Sequence, residues 1–259
     1  MGIEDFLLMN EMKRMLSFVR RACDDYNMID EGDKIAVGIS GGKDSLTLLL
    51  TLAALRRFYP KKFDLVAVTV NMGFEGADFS EIQKMCDEIG VEYKVVDTEI
   101  AKIIFDIRKE KNPCSLCSKM RRGALHAAAK ESGCNKVALG HHYDDATETF
   151  MLNLFFEGRL GCFSPVTYLS NRDITLIRPM IYAREKDVEY FVRKRPVPVI
   201  KSPCPADKAT EREEMKELLS SLERKYDGLN HRIFNAMCKA EIDGWKSALR
   251  YPDAGKIED

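Results

Sequence analysis

Two apolar segments flank the hexapeptide Ser40-Gly41-Gly42-Lys43-Asp44-Ser45. The run at 34–39 predicts a short strand, and the stretch at 46–58 predicts a helix. Consecutive glycines allow backbone N–H groups to converge on one anion, and the N-terminus of the following helix adds partial positive charge. In this setting the hexapeptide predicts a phosphate-binding loop.

The side chains of the hexapeptide suit the same ligand. Lys43 adds a full positive charge, and the hydroxyls of Ser40 and Ser45 are donors for phosphate oxygens. Asp44 is a candidate ligand for Mg2+ or a cap for the helix. The G-x-x-x-x-G-K spacing of a Walker A loop is absent. A tight strand-to-helix turn is the alternative, and six matching residues in the right context disfavour it.

Predicted strands and helices alternate on both sides of this loop. Further strands are predicted at 63–70, 91–96, 136–139 and 175–177, and further helices at 78–90, 115–133 and 144–156. This alternation indicates an α/β fold with a parallel five-stranded sheet and helices on both faces.

Helical segments are predicted at both ends. An apolar stripe at three- and four-residue steps predicts an amphipathic helix over 3–26. Helices are also predicted at 208–226 and 230–240, whereas Trp245 and the polar tail from Pro252 are expected to cap or fray. The predicted domains are an N-terminal helix at 1–30, a nucleotide-binding domain at 31–203 and a helical extension at 204–259.

Composition limits the cellular setting. The 259 residues are 45% hydrophobic, which is ordinary for a globular protein. Because the formal net charge is -1, the surface as a whole is not basic, and any nucleic-acid surface must be a local patch. The acidic opening is not a secretory signal, and the longest apolar stretch, 46–55, is too short to cross a bilayer. A cytoplasmic protein without a membrane partner is expected.

Three of the eight cysteines have a pattern of their own. Cys114 and Cys117 form a C-x-x-C at the start of a predicted helix, where the helix N-terminus favours thiolates. Alone, the pair is compatible with a redox site, half of a zinc site or two packing thiols. Cys204, in a proline-fixed loop, is the best third ligand. Three cysteines suit an iron–sulfur cluster with one open iron, and a histidine in addition would complete zinc. The remaining cysteines are predicted to pack, although Cys162 is a candidate if its loop borders the site.

The stretch from Gly140 to Asp145 ends one predicted strand and begins a helix. Because ligands gather at the carboxyl ends of parallel strands, it is a second edge of the nucleotide site. His141 or His142 is a candidate for binding phosphate. Asp144 or Asp145 is a candidate for Mg2+, and helix capping is the simpler role for Asp145.

Basic residues occur in local groups. Lys119, Arg121 and Arg122 follow the cysteine pair within two helical turns. Together with two further groups they form a candidate surface for RNA phosphates, although a solvated face is the commoner explanation for each group. The further groups are Lys13, Arg14, Arg20 and Arg21, and Arg193, Lys194 and Arg195.

The loop resembles the S-G-G-x-D-S motif of the PP-loop (N-type ATP pyrophosphatase) superfamily. This resemblance implies an adenine nucleotide alpha hydrolase-like fold and cleavage of ATP between its α and β phosphates. Motifs around the loop, the cysteine pair and Gly140–Asp145, together with Arg178-Pro179 and Arg184-Glu185-Lys186-Asp187, resemble the tRNA 2-thiocytidine synthetase (TtcA-like) family over about residues 10–240.

The resemblance to that family implies a 4Fe-4S cluster held by Cys114, Cys117 and Cys204. The family usually has a second C-x-x-C around the third ligand, and here only Cys204 is present. The loop at 71–74 also lacks an expected acidic residue.

The predicted function is ATP-dependent transfer of sulfur to C2 of a tRNA cytidine at position 32. Lys43, Asp44 and the three cysteines are the predicted catalytic residues, with ATP, Mg2+ and the cluster as cofactors. A cysteine desulfurase is the kind of sulfur donor expected, and a homodimer is compatible with the sequence. The alternatives are another PP-loop ligase or thiolase with a different base or small molecule, and a non-catalytic nucleotide- and cluster-binding protein.

Overall fold

The chain folds around a six-stranded sheet, seen in a computed structural model that describes residues 10–74, 76–108, 113–195, 197–200, 204 and 211–246. The order of strands across the sheet is β3-β2-β1-β4-β6-β5. Sequence order therefore reverses between β1 and β4, which is where ligands bind in open α/β sheets. The strands are β1 (Asp33–Gly38), β2 (Phe63–Asn71), β3 (Glu92–Asp97), β4 (Lys136–Ala138), β5 (Val166–Leu169) and β6 (Ile174–Ile177).

The prediction of a five-stranded, parallel sheet was wrong in one element. β1 to β4 and β6 pair in parallel, as predicted, but β5 is added at the edge and pairs antiparallel with β6. β5 has only four residues and its side chains are at most half-buried, with Tyr168 exposed. An edge strand of this kind leaves no apolar run or strict alternation in the sequence.

Helices cover both faces of the sheet. The eight longer helices of the described residues are α1 (Asn10–Asp25), α2 (Lys43–Leu55), α3 (Ser80–Glu88), α4 (Pro113–Glu131), α5 (Tyr143–Phe156), α6 (Glu185–Lys194), α7 (Glu211–Lys225) and α8 (Leu229–Lys239). Short helical segments lie at Ile100–Lys102, Ile103–Ile107 and Ile242–Gly244. On one face, Ala36, Val66 and Val137 form a buried cluster with Leu125 and Ala129 of α4. Because successive strand residues face opposite sides, the alternate residues of β1 and β2 meet α2.

The amphipathic helix α1 packs against α2 and α6. Met12, Met15 and Val19 on its apolar stripe are buried, as the periodicity predicted. The predicted helix began at residue 3, and residues 3–9 lie outside the described part of the chain.

Contacts divide the chain into two units, the first comprising 1–142 and 166–207 and the second 143–165 and 208–259. In the second unit the Tyr143 and Phe234 rings stack with centroids 4.1 Å apart, and Trp245 packs edge-on to Phe234. Trp245 is the C-cap of the short 3-10 helix Ile242–Gly244, is fully buried, and its Nε1 donates to the Phe163 carbonyl at 2.8 Å. Of the two expected roles, Trp245 therefore caps rather than frays. The tail from Pro252 lies outside the described residues.

The predicted domain boundary at 203/204 stays a prediction, because 201–203 and 205–210 are outside the described residues. None of the helices in the described part of the chain is both long and apolar enough to cross a bilayer.

Candidate active site

The phosphate loop, residues 40–45, connects β1 to α2 at the point where strand order reverses. Gly41 has a φ of +82°, a left-handed value that glycine adopts without strain. Gly42 is extended at the N-cap of α2, which begins at Lys43. The first N–H groups of a helix have no intrahelical acceptors, so the start of α2 is suited to a phosphate, as predicted from the sequence.

The two loop serines hold the loop in shape. Ser45 Oγ donates to the Gly42 carbonyl at 3.0 Å and accepts from the Ser40 N–H at 3.2 Å. The Ser40 and Ser45 hydroxyls are 3.2 Å apart, and the Gly42 N–H donates to Ser40 Oγ at 3.3 Å. The hydroxyls predicted to meet phosphate oxygens thus also organise the loop that presents them.

Ile200 closes the loop from a distant part of the chain. Its N–H donates to the Gly41 carbonyl at 2.9 Å. A methyl group on Gly41 would lie 3.1 Å from the Ile200 Cβ, so there is little room for a side chain. The sequence carried no signal for this contact, because Ile200 lies in an irregular segment without a motif.

The turn after β4 lies against the same loop. A methyl group on Gly140 would lie 3.1 Å from Asp44 C and Ser45 N, so glycine permits the close approach of two backbones. His142 is buried, and its Nε2 is 3.9 Å from Asp44 Oδ1. The structure therefore brings Gly140 to the loop, as predicted. His141 is half-buried, and its predicted role stays a prediction.

The ammonium group of Lys43 lies between two carboxylates. Its Nζ donates to Glu185 Oε1 at 3.1 Å and is 3.5 Å from Asp44 Oδ1. Burial lowers the pKa of Lys43, but the nearby charges of Asp44 and Glu185 outweigh it and raise the pKa overall. Lys43 is therefore a cation at neutral pH. In the sequence Glu185 stands out only as part of a family motif, and nothing there predicts its contact with the loop.

Asp144 and Asp145 lie in the first turn of α5, in the second unit. Asp145 is inside the helix rather than at its N-cap, so the capping role was wrong. Its Oδ1 is 3.2 Å from Arg212 Nη1, which also lies 3.5 Å from Glu148 Oε2. Burial, with a smaller contribution from Asp145, raises the pKa of Glu148 to about 7.

The C-x-x-C pair opens α4, with Cys114 exposed and Cys117 half-buried. The pKa of the Cys117 thiol is raised, first by burial and then by the charges of Cys204 and Cys114, while Arg121 opposes the rise. Cys204 thus interacts electrostatically with Cys117, and its role as the third ligand stays a prediction. Within the described residues, no three His, Cys, Asp or Glu side chains are arranged to hold a metal ion. In donor type, three neighbouring thiols fit a cluster.

Four other cysteines pack as predicted. Cys23, Cys86, Cys134 and Cys238 are buried, and burial raises the pKa of each thiol, to about 12 for Cys86 and Cys238. Thiols of this kind are poor ligands because the thiolate is disfavoured. The Cys162 N–H donates a hydrogen bond to Asp243 Oδ2 of the same unit at 2.7 Å.

The basic groups differ in what they contact. On α1, Arg14 is 2.5 Å from the buried Asp187, and Arg21 lies over the Tyr182 ring at 4.1 Å. These side chains support the fold of the first unit. Lys119, Arg121 and Arg122 are exposed on α4, beside the cysteine pair. Their predicted contact with RNA stays a prediction.

Known proteins match this chain over most of its length. The PP-loop domain family matches residues 10–222. A tRNA-cytidine(32) 2-sulfurtransferase of Geobacter metallireducens is 40% identical over 240 residues, covering 92% of this chain and 93% of the relative. The chain belongs to this family of PP-loop sulfurtransferases. A tRNA-cytidine(32) 2-sulfurtransferase of Aliivibrio fischeri is also 40% identical, over 82% of this chain and 70% of the relative.

A solved structure agrees with the family. The U34-tRNA thiolase NcsA from Methanococcus maripaludis, solved with its 4Fe-4S cluster, superposes with a TM-score of 0.74 and 28% identity. The match covers 89% of this chain and 78% of the thiolase. These comparisons confirm the predicted family, the α/β fold class and the ATP-binding PP-loop domain.

Proposed function

We propose that this sulfurtransferase-family member replaces the C2 oxygen of cytidine 32 in tRNA with sulfur, at the expense of ATP. The observation that carries the proposal is the presence, in one structural unit, of an ordered phosphate loop and of three thiols, Cys114, Cys117 and Cys204, that interact electrostatically. Relatives that share about 40% identity over most of their length are named for this reaction.

In the first step, the base oxygen attacks the α-phosphate of ATP, the α–β bond breaks and pyrophosphate leaves. The N–H groups at the start of α2 and the Lys43 ammonium stabilise the charge that develops on the phosphates. Asp44 is the proposed carboxylate ligand of Mg2+, which prefers carboxylate and phosphate oxygens. The predicted Mg2+ role of Asp145 stays a prediction. His141 and Gly140 form the second edge of the nucleotide site.

In the second step, sulfide adds to C2 of the adenylated base, the C2–O bond breaks and AMP leaves. Cys114, Cys117 and Cys204 would hold the 4Fe-4S cluster, which would supply a place for sulfide to bind. The thiols keep this site beside α4, and soft thiolates are suited to iron. A cysteine desulfurase is the proposed sulfur donor, and a thiol reductant would release its persulfide sulfur as sulfide, leaving a disulfide.

Lys119, Arg121 and Arg122 are the proposed contacts to the tRNA backbone. They follow the cysteine pair on α4, so phosphates bound there lie next to the sulfur site. Basic side chains of this kind supply affinity that falls with salt. The proposed location is the cytoplasm, with a homodimer as the oligomeric state to test by light scattering.

The direct test is mass spectrometry of tRNA nucleosides from cells with and without this protein. The expected result is loss of 2-thiocytidine on deletion and its return with the intact chain but not with Lys43→Ala. Unchanged 2-thiocytidine in the deletion would refute the proposal.

A second candidate is thiolation of a uridine at position 34, favoured by the structural match to the U34-tRNA thiolase. The same spectra separate the two, because a thiouridine would disappear instead of 2-thiocytidine. A non-catalytic nucleotide-binding protein would bind ATP without releasing pyrophosphate in the presence of tRNA.

A further inference from the structure

We propose that Glu185 is a positioning residue for the phosphate loop, fixing the direction of the Lys43 ammonium group. The inference rests on the proposed role of Lys43 in the reaction of ATP. The Glu185 carboxylate contacts Lys43 Nζ at 3.1 Å, and both side chains are largely removed from solvent, at 19% and 30% exposure. Such a charge-assisted hydrogen bond restricts a side chain that is otherwise flexible.

Glu185 is itself held in place by the start of α6. It is the first residue of that helix, and the Arg184 N–H donates to Asp187 Oδ2 at 3.2 Å. Asp187 is 6% exposed and forms an ion pair with Arg14 of α1. Tyr182, just before the helix, donates from its hydroxyl to Asp25 Oδ2 at 2.9 Å. Two ion pairs, Arg14–Asp187 and Glu185–Lys43, are therefore connected through the first turn of α6.

The position of Glu185 has two opposing consequences for ATP. Its negative charge beside the loop repels phosphate and competes for Lys43, which weakens binding of the substrate. Its hydrogen bond also orients the Lys43 ammonium towards the phosphates of ATP. An oriented ammonium stabilises the charge that develops there and so lowers the activation barrier of the first step. Neutralising Glu185 should therefore tighten ATP binding and slow the chemical step.

The test is Glu185→Gln, with the exposed Glu189→Gln on the same helix as the matched control. With tRNA as co-substrate, we expect KM for ATP to fall roughly 2- to 5-fold and kcat for pyrophosphate release to fall about tenfold or more. Glu189→Gln should leave both unchanged. Glu185→Asp keeps the charge and should restore KM towards that of the unaltered protein.

A direct readout is the rate at which an amine reagent labels Lys43, followed by peptide mass spectrometry between pH 7 and 10. The charges that face Lys43 are Asp44 and Glu185, and the buried His142 faces Asp44. The hydrogen bond to Glu185 at 3.1 Å restrains the Lys43 amine, so its loss in Glu185→Gln should make Lys43 label about threefold faster or more at a given pH. Unchanged labelling together with unchanged kinetic constants would overturn the inference.

Arg14→Ala tests whether the ion pair with Asp187 supports Glu185, with the exposed Ser17→Ala of the same helix as its control. Arg14→Ala should shift kcat and KM for ATP in the same directions as Glu185→Gln, about twofold to threefold, without changing KM for tRNA. A change confined to KM for tRNA would make Arg14 an RNA contact and contradict the linkage. Lys43→Ala separates the two proposals: if it retains full pyrophosphate release, the role of Lys43 is wrong. If it is inactive and Glu185→Gln behaves like the unaltered protein, only the role of Glu185 is wrong.

Discussion

The phosphate loop and the three cysteines are built in different ways. The loop is held by hydrogen bonds among its own serines and glycines, and by Gly140 and Ile200 packed against it. By contrast, Cys114 is exposed and Cys117 half-buried at the start of a helix, and Cys204 comes from a distant segment. The loop is thus preorganised by the protein, whereas the arrangement of the thiols depends more on what they bind.

This difference predicts that damage to the sulfur site leaves the nucleotide site intact. Replacing any one of Cys114, Cys117 or Cys204 by Ala should abolish thiolation and cluster binding, because three ligands are the minimum in the proposed site. ATP affinity should stay within about twofold, since the loop is organised by its own contacts. The measurements are iron, acid-labile sulfide and zinc after anaerobic purification, with calorimetric titration of ATP. Exposure of the intact protein to oxygen should have the same effects.

The controls for the cysteine series are Cys23→Ala and Cys238→Ala. Both thiols are buried, so their loss should lower stability without removing iron. Stoichiometric zinc and no iron in active protein would contradict the cluster and favour a persulfide-carrying mechanism.

Damage to the loop should produce the converse pattern. Lys43→Ala is expected to lower pyrophosphate release about 10²- to 10³-fold, because it removes a charge that stabilises the developing phosphate charge. Iron content should be unchanged. Lys84→Ala, on the exposed side of α3, is the control. Loss of iron from Lys43→Ala would show that the two sites are not independent.

Gly140→Ala tests how rigid the loop is. The added methyl group would meet the backbone of Asp44 and Ser45 at 3.1 Å, so the loop must shift by a few tenths of an ångström. We expect ATP affinity to fall about tenfold with native circular dichroism. Gly123→Ala is the control, since its nearest neighbour atom would be 3.9 Å away. Unchanged affinity in Gly140→Ala would mean that the loop adapts freely.

The contrast between the phosphate loop and the cysteines also explains which features could be predicted from the sequence. The phosphate loop was predictable because its hydrogen bonds join residues within one hexapeptide, and local patterns survive in the sequence. The contacts that Glu185 and Ile200 make with the loop were not predictable, because tertiary packing brings together segments that share no motif in the sequence. β5 was not predicted because an exposed edge strand lacks apolar alternation. The burial of Trp245 was not predicted because its neighbours in the sequence are polar.

The smallest effect is expected at the RNA surface beside the cysteines. Arg121 and Arg122 are exposed on α4, and reversing both to Glu should weaken tRNA binding about tenfold and flatten its salt dependence, because each phosphate contact releases counterions. Lys84→Glu with Lys102→Glu makes the same charge change on other exposed helical positions and should alter neither quantity. Filter binding across a salt series measures both. If tRNA affinity falls while its salt dependence stays the same, the arginines stabilise α4 and do not contact phosphates. The arrangement of the thiols would then depend on protein contacts more than the contrast with the loop implies.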